Sequence, residues 1–374
     1  MLSPMDDYPI HQVAEVVRHV GTSDRNFYDR YYFNCHHGDP DDPWLIIGLG
    51  VYPNLGVSDC FAVVRHRDDH IVVRASRALG ADRNDLRVGP FHVEVLEGLS
   101  RLAVRLEPGH GDLSFDLVFD ADGPAALEPR HFQRQLERVT FDTMRFVQTG
   151  RWTGSLTVDG EHFDVEPETW RGNRDRSWGV RPVGEAEPPG RRAAETEATT
   201  FFWIYSVMRF PDYSVIVLVQ ELRSGERIMG DARRVWNDPD REPEWLGRVE
   251  HDVRFVSGGR EPESATLRFV KPDGSTIAVE CRPRLANYIG FGTGYGLEED
   301  WRHGMWQGEE KVESQRLSIA GLDPVMAMFC PVDHLSDFTL TENGDDLAGR
   351  GLFEFAVIGP HDQYGFTEFL DVAP

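Results

Sequence analysis

Apolar residues along this chain come in short runs, and glycine, aspartate, proline and asparagine separate them. Within the runs the alternation has period two rather than 3.6, which is the pattern of β-strands. In the first half the predicted strands are Trp44–Val51, Cys60–His66, His70–Arg77, Phe91–Leu96, Arg101–Leu106, Leu113–Phe119, Phe132–Val139, Met144–Thr149 and Gly154–Val158. A second series opens with Phe201–Phe210 and Ser214–Leu222. It continues through Arg227–Trp236, Glu250–Val256, Ala265–Val270, Thr276–Cys281, Val312–Ile319 and Gly351–Ile358. VDGEHFDV (Val158–Val165) predicts a hairpin turning at Asp159-Gly160, and KPDGS (Lys271–Ser275) predicts another turn. Helical periodicity is weak, so short helices are expected only in Ile10–Val20 and within Asp323–Leu335.

Between the two series lies 183–199, VGEAEPPGRRAAETEAT, which is polar and aperiodic and reads as a linker or long loop. The expected division is residues 1–182, the linker 183–199, and residues 200–374. The fold expected is all-β: two closed antiparallel β-barrels packed together, with few short helices. Such barrels are either filled by side chains or hollowed around one small ligand. Runs apolar on both faces, such as SVIVLV (Ser214–Val219), suit both designs.

Composition narrows the partners. A formal charge of −24 repels nucleic-acid backbones and anionic lipid, so neither is an expected partner. Lys271 and Lys311 are the only lysines, so arginine carries nearly all the positive charge and a motif arginine is weak evidence by itself. Cys35, Cys60, Cys281 and Cys330 form no CxxC pair and suggest no disulfide framework. The N-terminus lacks a basic region followed by an apolar run, and no run is long enough to span a bilayer. A cytoplasmic protein is expected, and a homodimer stays open.

Motif by motif, the standard chemistries drop out. There is no G-x-S-x-G elbow, Walker loop or H-E-x-x-H helix. NCHHGDPDD (Asn34–Asp42) reads as a solvated loop rather than a metal site, since adjacent strand histidines point opposite ways. No metal and no cofactor is expected. DDYPIHQ (Asp6–Gln12) is either a frayed terminus or an arm carrying Asp7 and His11 across a barrel mouth. GFGTGYG (Gly290–Gly296) lacks GxGxxG spacing, so its glycines are expected to bend a strand or admit a close neighbour. Around it stand Tyr288, Tyr295, Trp301, His303 and Trp306, which either line a pocket or pack.

The most concentrated chemistry is TWRGNRDRSWGVRP (Thr169–Pro182). On a strand, Arg174, Arg176 and Trp178 share one side, while Asn173, Asp175 and Ser177 share the other. If the second side faces a cavity, burial raises the Asp175 pKa and makes it a proton donor near neutrality. If an arginine from another strand reaches it, Asp175 is a structural anchor. The first side suits guanidinium–indole stacking.

GNRDRSWGVRP resembles the RDHSWG-R signature of bacterial proteins grouped with carotenoid 1,2-hydratase (hydroxyneurosporene synthase). Those belong, with AttH-like proteins, to a wider set of two-domain lipocalin-like proteins, which fungal intramolecular Diels–Alderases resemble in architecture. FVQTGRWTGSLTVDG (Phe146–Gly160), YYFN (Tyr31–Asn34) and GPHDQYGFTEF (Gly359–Phe369) agree more loosely. Arg176 stands where the signature has histidine. The resemblance implies two lipocalin-like barrels. With the residues above, it leads to an expected cofactor-independent enzyme for a hydrophobic terpenoid, polyketide or aromatic molecule. The expected reaction is acid-assisted hydration, isomerisation or cyclisation. Asp175 is the expected donor, positioned by Asn173 and Ser177, with His303 a further candidate. Trp178, Arg174, Tyr288, Tyr295 and Trp306 are the candidate substrate-binding residues. The alternative is a non-catalytic carrier of apolar ligands.

Overall fold

The computed structural model describes residues 1–183, 200–295 and 298–374. Residues 184–199, nearly all of the expected linker, and Gly296 of the glycine-rich motif lie outside the described residues. The chain is almost entirely β, built as two curled antiparallel sheets that pack together as lipocalin-like half-barrels.

In the first sheet the strands run, in spatial order, Glu310–Ser318, Asp69–Ala78, Val57–His66, Trp44–Tyr52, Phe27–His36, Arg171–Val180, Arg138–Val158, Leu113–Ala121, Arg101–Leu106, Phe91–Glu97 and Arg87–Val88. The second runs Glu244–Trp245, Arg227–Trp236, Tyr213–Glu221, Phe201–Arg209, Asp345–Ile358, Val332–Glu342, Thr276–Asn287, Pro262–Val270 and Arg248–Phe255. Glu310–Ser318 follows residue 200 in the chain yet pairs with Asp69–Ala78, so the later part of the chain completes the earlier sheet.

Alternation explains where the core sits. On Trp44–Tyr52, Leu45, Ile47 and Leu49 point into the first barrel, and Trp44 and Ile46 point toward the second. On Tyr213–Glu221, Val215, Val217 and Val219 fill the second barrel while Ile216 and Leu218 face the first. Strands at the contact are therefore apolar on both faces, which is why Val215–Val219 is apolar without a break. Each fully buried side chain of this kind stabilises the fold by about 1.5–3 kcal/mol.

Among the described residues neither hydrogen-bonded ladder closes on itself. In the first, side chains bridge the seam instead of backbone. A Cβ on Gly89 would lie 2.9 Å from Val312 of the edge strand, and Arg316 donates to Asp159 at 2.7 Å and Asp112 at 3.3 Å. Met144–Thr149 and Gly154–Val158, expected as separate strands, are parts of one strand, Arg138–Val158. Gly154 makes this continuity feasible: its φ is +130°, and a Cβ there would collide with the Asp116 carbonyl oxygen. Gly154→Ala is expected to cost about 1–3 kcal/mol. A urea titration reads this, and an unchanged midpoint would refute the packing argument.

The Asp159-Gly160 hairpin forms as expected, with both residues at positive φ (51° and 78°). Ile10–Val20 is not helical. Its turns fold around the Asp6 carboxylate, which accepts from the Ser3 and Val17 amides at 2.8 and 2.7 Å. That local carboxylate–amide bonding competes with a helix ladder. Within Asp323–Leu335 only Pro324–Ala327 is helical, because Val332–Glu342 is recruited to the second sheet.

An acid-lined cavity between the barrels

Register decides which way the central motif faces. Phe27–His36 pairs with Arg171–Val180 so that Arg30 opposes Ser177, Tyr31 opposes Arg176 and Tyr32 opposes Asp175. Directly opposed residues share a face of the sheet. Tyr31 belongs to the first barrel's core, so Arg174 and Arg176 turn inward with it. Arg176 stacks 3.9 Å over the Tyr31 ring and pairs with Asp29, and Arg174 donates to Gln148 Oε1 at 2.7 and 3.0 Å. Arg30, Tyr32, Ser177 and Asp175 turn outward, toward the second barrel. They border a cavity of about 680 Å³ between the sheets, a size suited to a small organic ligand.

Asp175 is 9% exposed and faces this cavity. Among the described residues its carboxyl has no hydrogen bond and no ion pair. Burial pushes its pKa up to about 7, against the pull of the Arg145 guanidinium. Two further carboxyls stand close by, since Asp333 and Glu354 oppose one another across neighbouring strands. Burial, and then the facing Glu354 carboxyl, drives Asp333 well above the usual range. Burial also raises Glu354, although Arg145 and the Trp203 indole N–H oppose this. The Tyr32 hydroxyl donates to Asp333 Oδ2 at 2.6 Å, linking the barrels. A second link runs through Glu128, which accepts from Tyr205 Oη at 2.9 Å and from Arg145 Nε at 2.7 Å.

The other part of the cavity is cationic. Arg30 Nη1 lies 2.7 Å from His303 Nδ1, and His303 Nε2 lies 2.9 Å from the Thr293 carbonyl oxygen. The carbonyl can only accept, so Nε2 carries the proton and Nδ1 accepts from Arg30. Burial, then Arg30 and Arg181, hold the His303 pKa well below its usual value, so the ring is neutral. It stacks on Phe61 and meets the Tyr295 ring edge-on. The glycine-rich motif serves this packing: a Cβ on Gly294 (φ +94°) would sit 2.8 Å from His303 Cδ2.

Of the residues expected from sequence, Asp175, Ser177, Tyr295 and His303 come together on this cavity. Asn173 shares their face, but its Oδ1 accepts from Asn34 Nδ2 at 2.7 Å and it borders a separate cavity with His36 and Arg171. Neither Asn173 nor Ser177 hydrogen-bonds Asp175 among the described residues. Trp178 and Arg174 face away, because alternation sends them to the opposite side of the strand. Tyr288 donates to Glu261 at 2.6 Å in a small cluster of its own, and Trp306 is half exposed off the cavity. Of the expected solvated loop Asn34–Asp42, Asn34, Cys35 and His36 are instead buried in the strand Phe27–His36, because they pair with its neighbours. In the loop that follows, His37 pairs with Asp42 at 2.6 Å, and His11 near the N-terminus pairs with Asp6 at 3.1 Å. Among the described residues no three His, Cys, Asp or Glu side chains are arranged to hold a metal ion, and no helix is long and apolar enough to cross a membrane.

Fold and cavity together define a double lipocalin-like half-barrel protein with a ligand-sized, acid-lined chamber between its two sheets. The chain belongs to the Family of unknown function (DUF8625), whose profile matches residues 2–367. No curated protein matches it. Several solved structures share its fold, among them the following two. Kievitone hydratase from Nectria haematococca is 15% identical with a TM-score of 0.53, over 88% of each chain. A protein assigned as AttH from Nitrosomonas europaea is 12% identical with a TM-score of 0.54, over 88% of this chain and 92% of its own.

Sequence reasoning missed Arg30, Tyr32, Glu128, Arg145, Asp333 and Glu354. Two carried a readable signal. Glu354 lies in GLFEFAVI, where it is the one polar side chain, and Asp333 lies in CPVDHL, where His334 is its one polar neighbour. Where a strand is buried on both faces, such an acid has no solvent side to occupy.

Proposed function

We propose that the chain is an enzyme that protonates an alkene, or an equivalent electron-rich carbon, of a hydrophobic small molecule held between the barrels. The observation carrying this reading is Asp175: a buried carboxyl, free of any ion pair among the described residues, aimed into a ligand-sized cavity. A pKa near 7 keeps a large share of it protonated at neutral pH. The alkene π pair takes the Asp175 proton, leaving a carboxylate and a carbocation. The Tyr295 ring on the cavity wall can stabilise that cation through its face. Water then adds, and its surplus proton returns to Asp175, for a net hydration. Capture by a second double bond of the substrate moves the cation, and return of a proton from its neighbouring carbon to the Asp175 carboxylate then completes a cyclisation; return of such a proton without capture gives isomerisation. A hydratase of the same fold supports the first outcome. The carrier alternative expects an apolar pocket with Asp175 ion-paired elsewhere. The cavity wall instead includes Arg30, Arg145, Arg181 and Glu354.

Native mass spectrometry of freshly purified protein tests this reading, followed by incubation of the recovered ligand in heavy-oxygen water. Turnover is expected as addition of one water, or as rearrangement at constant mass. A ligand that is recovered unchanged after prolonged incubation points to the carrier.

A further inference from the structure

Two cationic side chains on the cavity wall, Arg30 and Arg181, form no ion pair among the described residues. Arg30 is 4% exposed and Arg181 is partly buried, and among the described residues neither has a carboxylate within 4 Å. Arg30 donates to His303 Nδ1, but that imidazole is neutral and compensates no charge. Among the described residues the buried Arg30 Nε and Arg181 Nε groups have no hydrogen-bond partner. The Arg181 guanidinium lies 4.6 Å over the Tyr28 ring, on the same face as Arg30. The buried Asp59 carboxylate, which accepts from the Gly304 amide at 2.6 Å and the Tyr52 hydroxyl at 3.3 Å, acts on both Arg30 and Arg181 and can offset only one of the two. Elsewhere on the wall charge is matched, as in Arg145–Glu128. Even in a chain of net charge −24, two guanidiniums at one end of the cavity share a single carboxylate, Asp59, so one positive charge is left over there. Buried cations of this kind are stable when a ligand supplies the counter-charge.

We infer that the Arg30–Arg181 end of the cavity binds an anionic oxygen group, a carboxylate or an acidic enolate, on an otherwise hydrophobic substrate. This deepens the proposed function and rests on it for the word substrate. The register also sets a distance. Arg30 opposes Ser177, and the next outward-facing pair is Tyr32 with Asp175. Two residues along a strand span about 7 Å. The acidic group therefore lies about 7 Å from the carbon that Asp175 protonates, roughly five bonds along an extended chain. Arginine suits this task because its planar fork meets both oxygens of a carboxylate at once.

The test uses 5-dodecenoic acid and its methyl ester, which share a chain and differ in charge. Isothermal titration calorimetry on the full chain at pH 7.5 is expected to give the acid an affinity at least about tenfold above the ester, the size of one charge-assisted hydrogen bond. Arg30→Met and Arg181→Met should each shrink that preference without weakening the ester. Arg181→Met covers the case in which Arg30→Met fails to fold, since Arg181 is the less buried. Equal affinity for acid and ester, or a preference that survives both substitutions, overturns the inference. Turnover is read separately. An acid preference without turnover sinks the enzymatic reading and leaves the anion site standing; turnover of acid and ester alike does the reverse.

Discussion

Asp175→Asn is expected to lower turnover by a factor of about 10²–10⁴, the usual contribution of a positioned general acid, and to leave the protein as stable as before or more so. The two halves of that expectation share one cause. Burial raises the Asp175 pKa to about 7, above its value of about 3.9 in an unfolded chain. For a group raised on folding, stability is fully present below the unfolded pKa and is lost as pH rises through the folded one. Wild type should therefore lose stability between about pH 4 and pH 8, by an amount on the order of a few kcal/mol. Asparagine cannot ionise, so the variant should lack this slope and melt higher at pH 8. Turnover in wild type should decline on the alkaline side through about pH 7, because only the protonated acid donates. Melting curves and rates across that range check both. A variant that melts much lower at every pH would make Asp175 a structural anchor, and one that turns over normally would remove it from the chemistry.

How much of this was legible beforehand depends on the range of the interaction. The all-β class and the Asp159-Gly160 turn follow from local pattern, and both are found. Strand alternation also separated Asp175 and Ser177 from Arg174 and Trp178 correctly, because it needs only the pleat. It could not say which of the two faces met a cavity; that depends on the Tyr31–Arg176 register against a strand more than a hundred residues away. The strand Glu310–Ser318 was visible, but its place at the edge of the first sheet was not, since a pattern of alternation names no partner. Tyr288 and Trp306 stand close in sequence to the glycine-rich motif, which is all that marks them as candidates. Irregular backbone there turns each side chain its own way, so that Tyr295 and His303 reach the cavity while Tyr288 and Trp306 do not. The ionic residues of the wall escaped notice because arginine is so abundant in this chain and because their acid partners lie on other strands.

Glu128→Gln should shift the pH dependence of turnover toward acid, and Arg145→Met should shift it toward alkali. Glu128 is buried, and it holds Arg145 at 2.7 Å while accepting from Tyr205 of the second sheet. Arg145 pulls the Asp175 pKa down and the Glu128 charge pushes it up. Glutamine keeps the shape but deletes the negative charge, so Arg145 acts on Asp175 uncompensated. The Asp175 pKa then falls below its present value, and the alkaline limb of activity moves to lower pH. Methionine at 145 removes the opposing cation, and the limb moves to higher pH. Both changes strand a buried charge, so each should also destabilise the fold by about 3–5 kcal/mol, read by urea denaturation. Loss of stability alone would fit any bridge between the two barrels. Opposite displacements of the pH limb require that the acid in turnover be one that Arg145 and Glu128 both reach, and parallel or absent displacements would exclude Asp175 from that role.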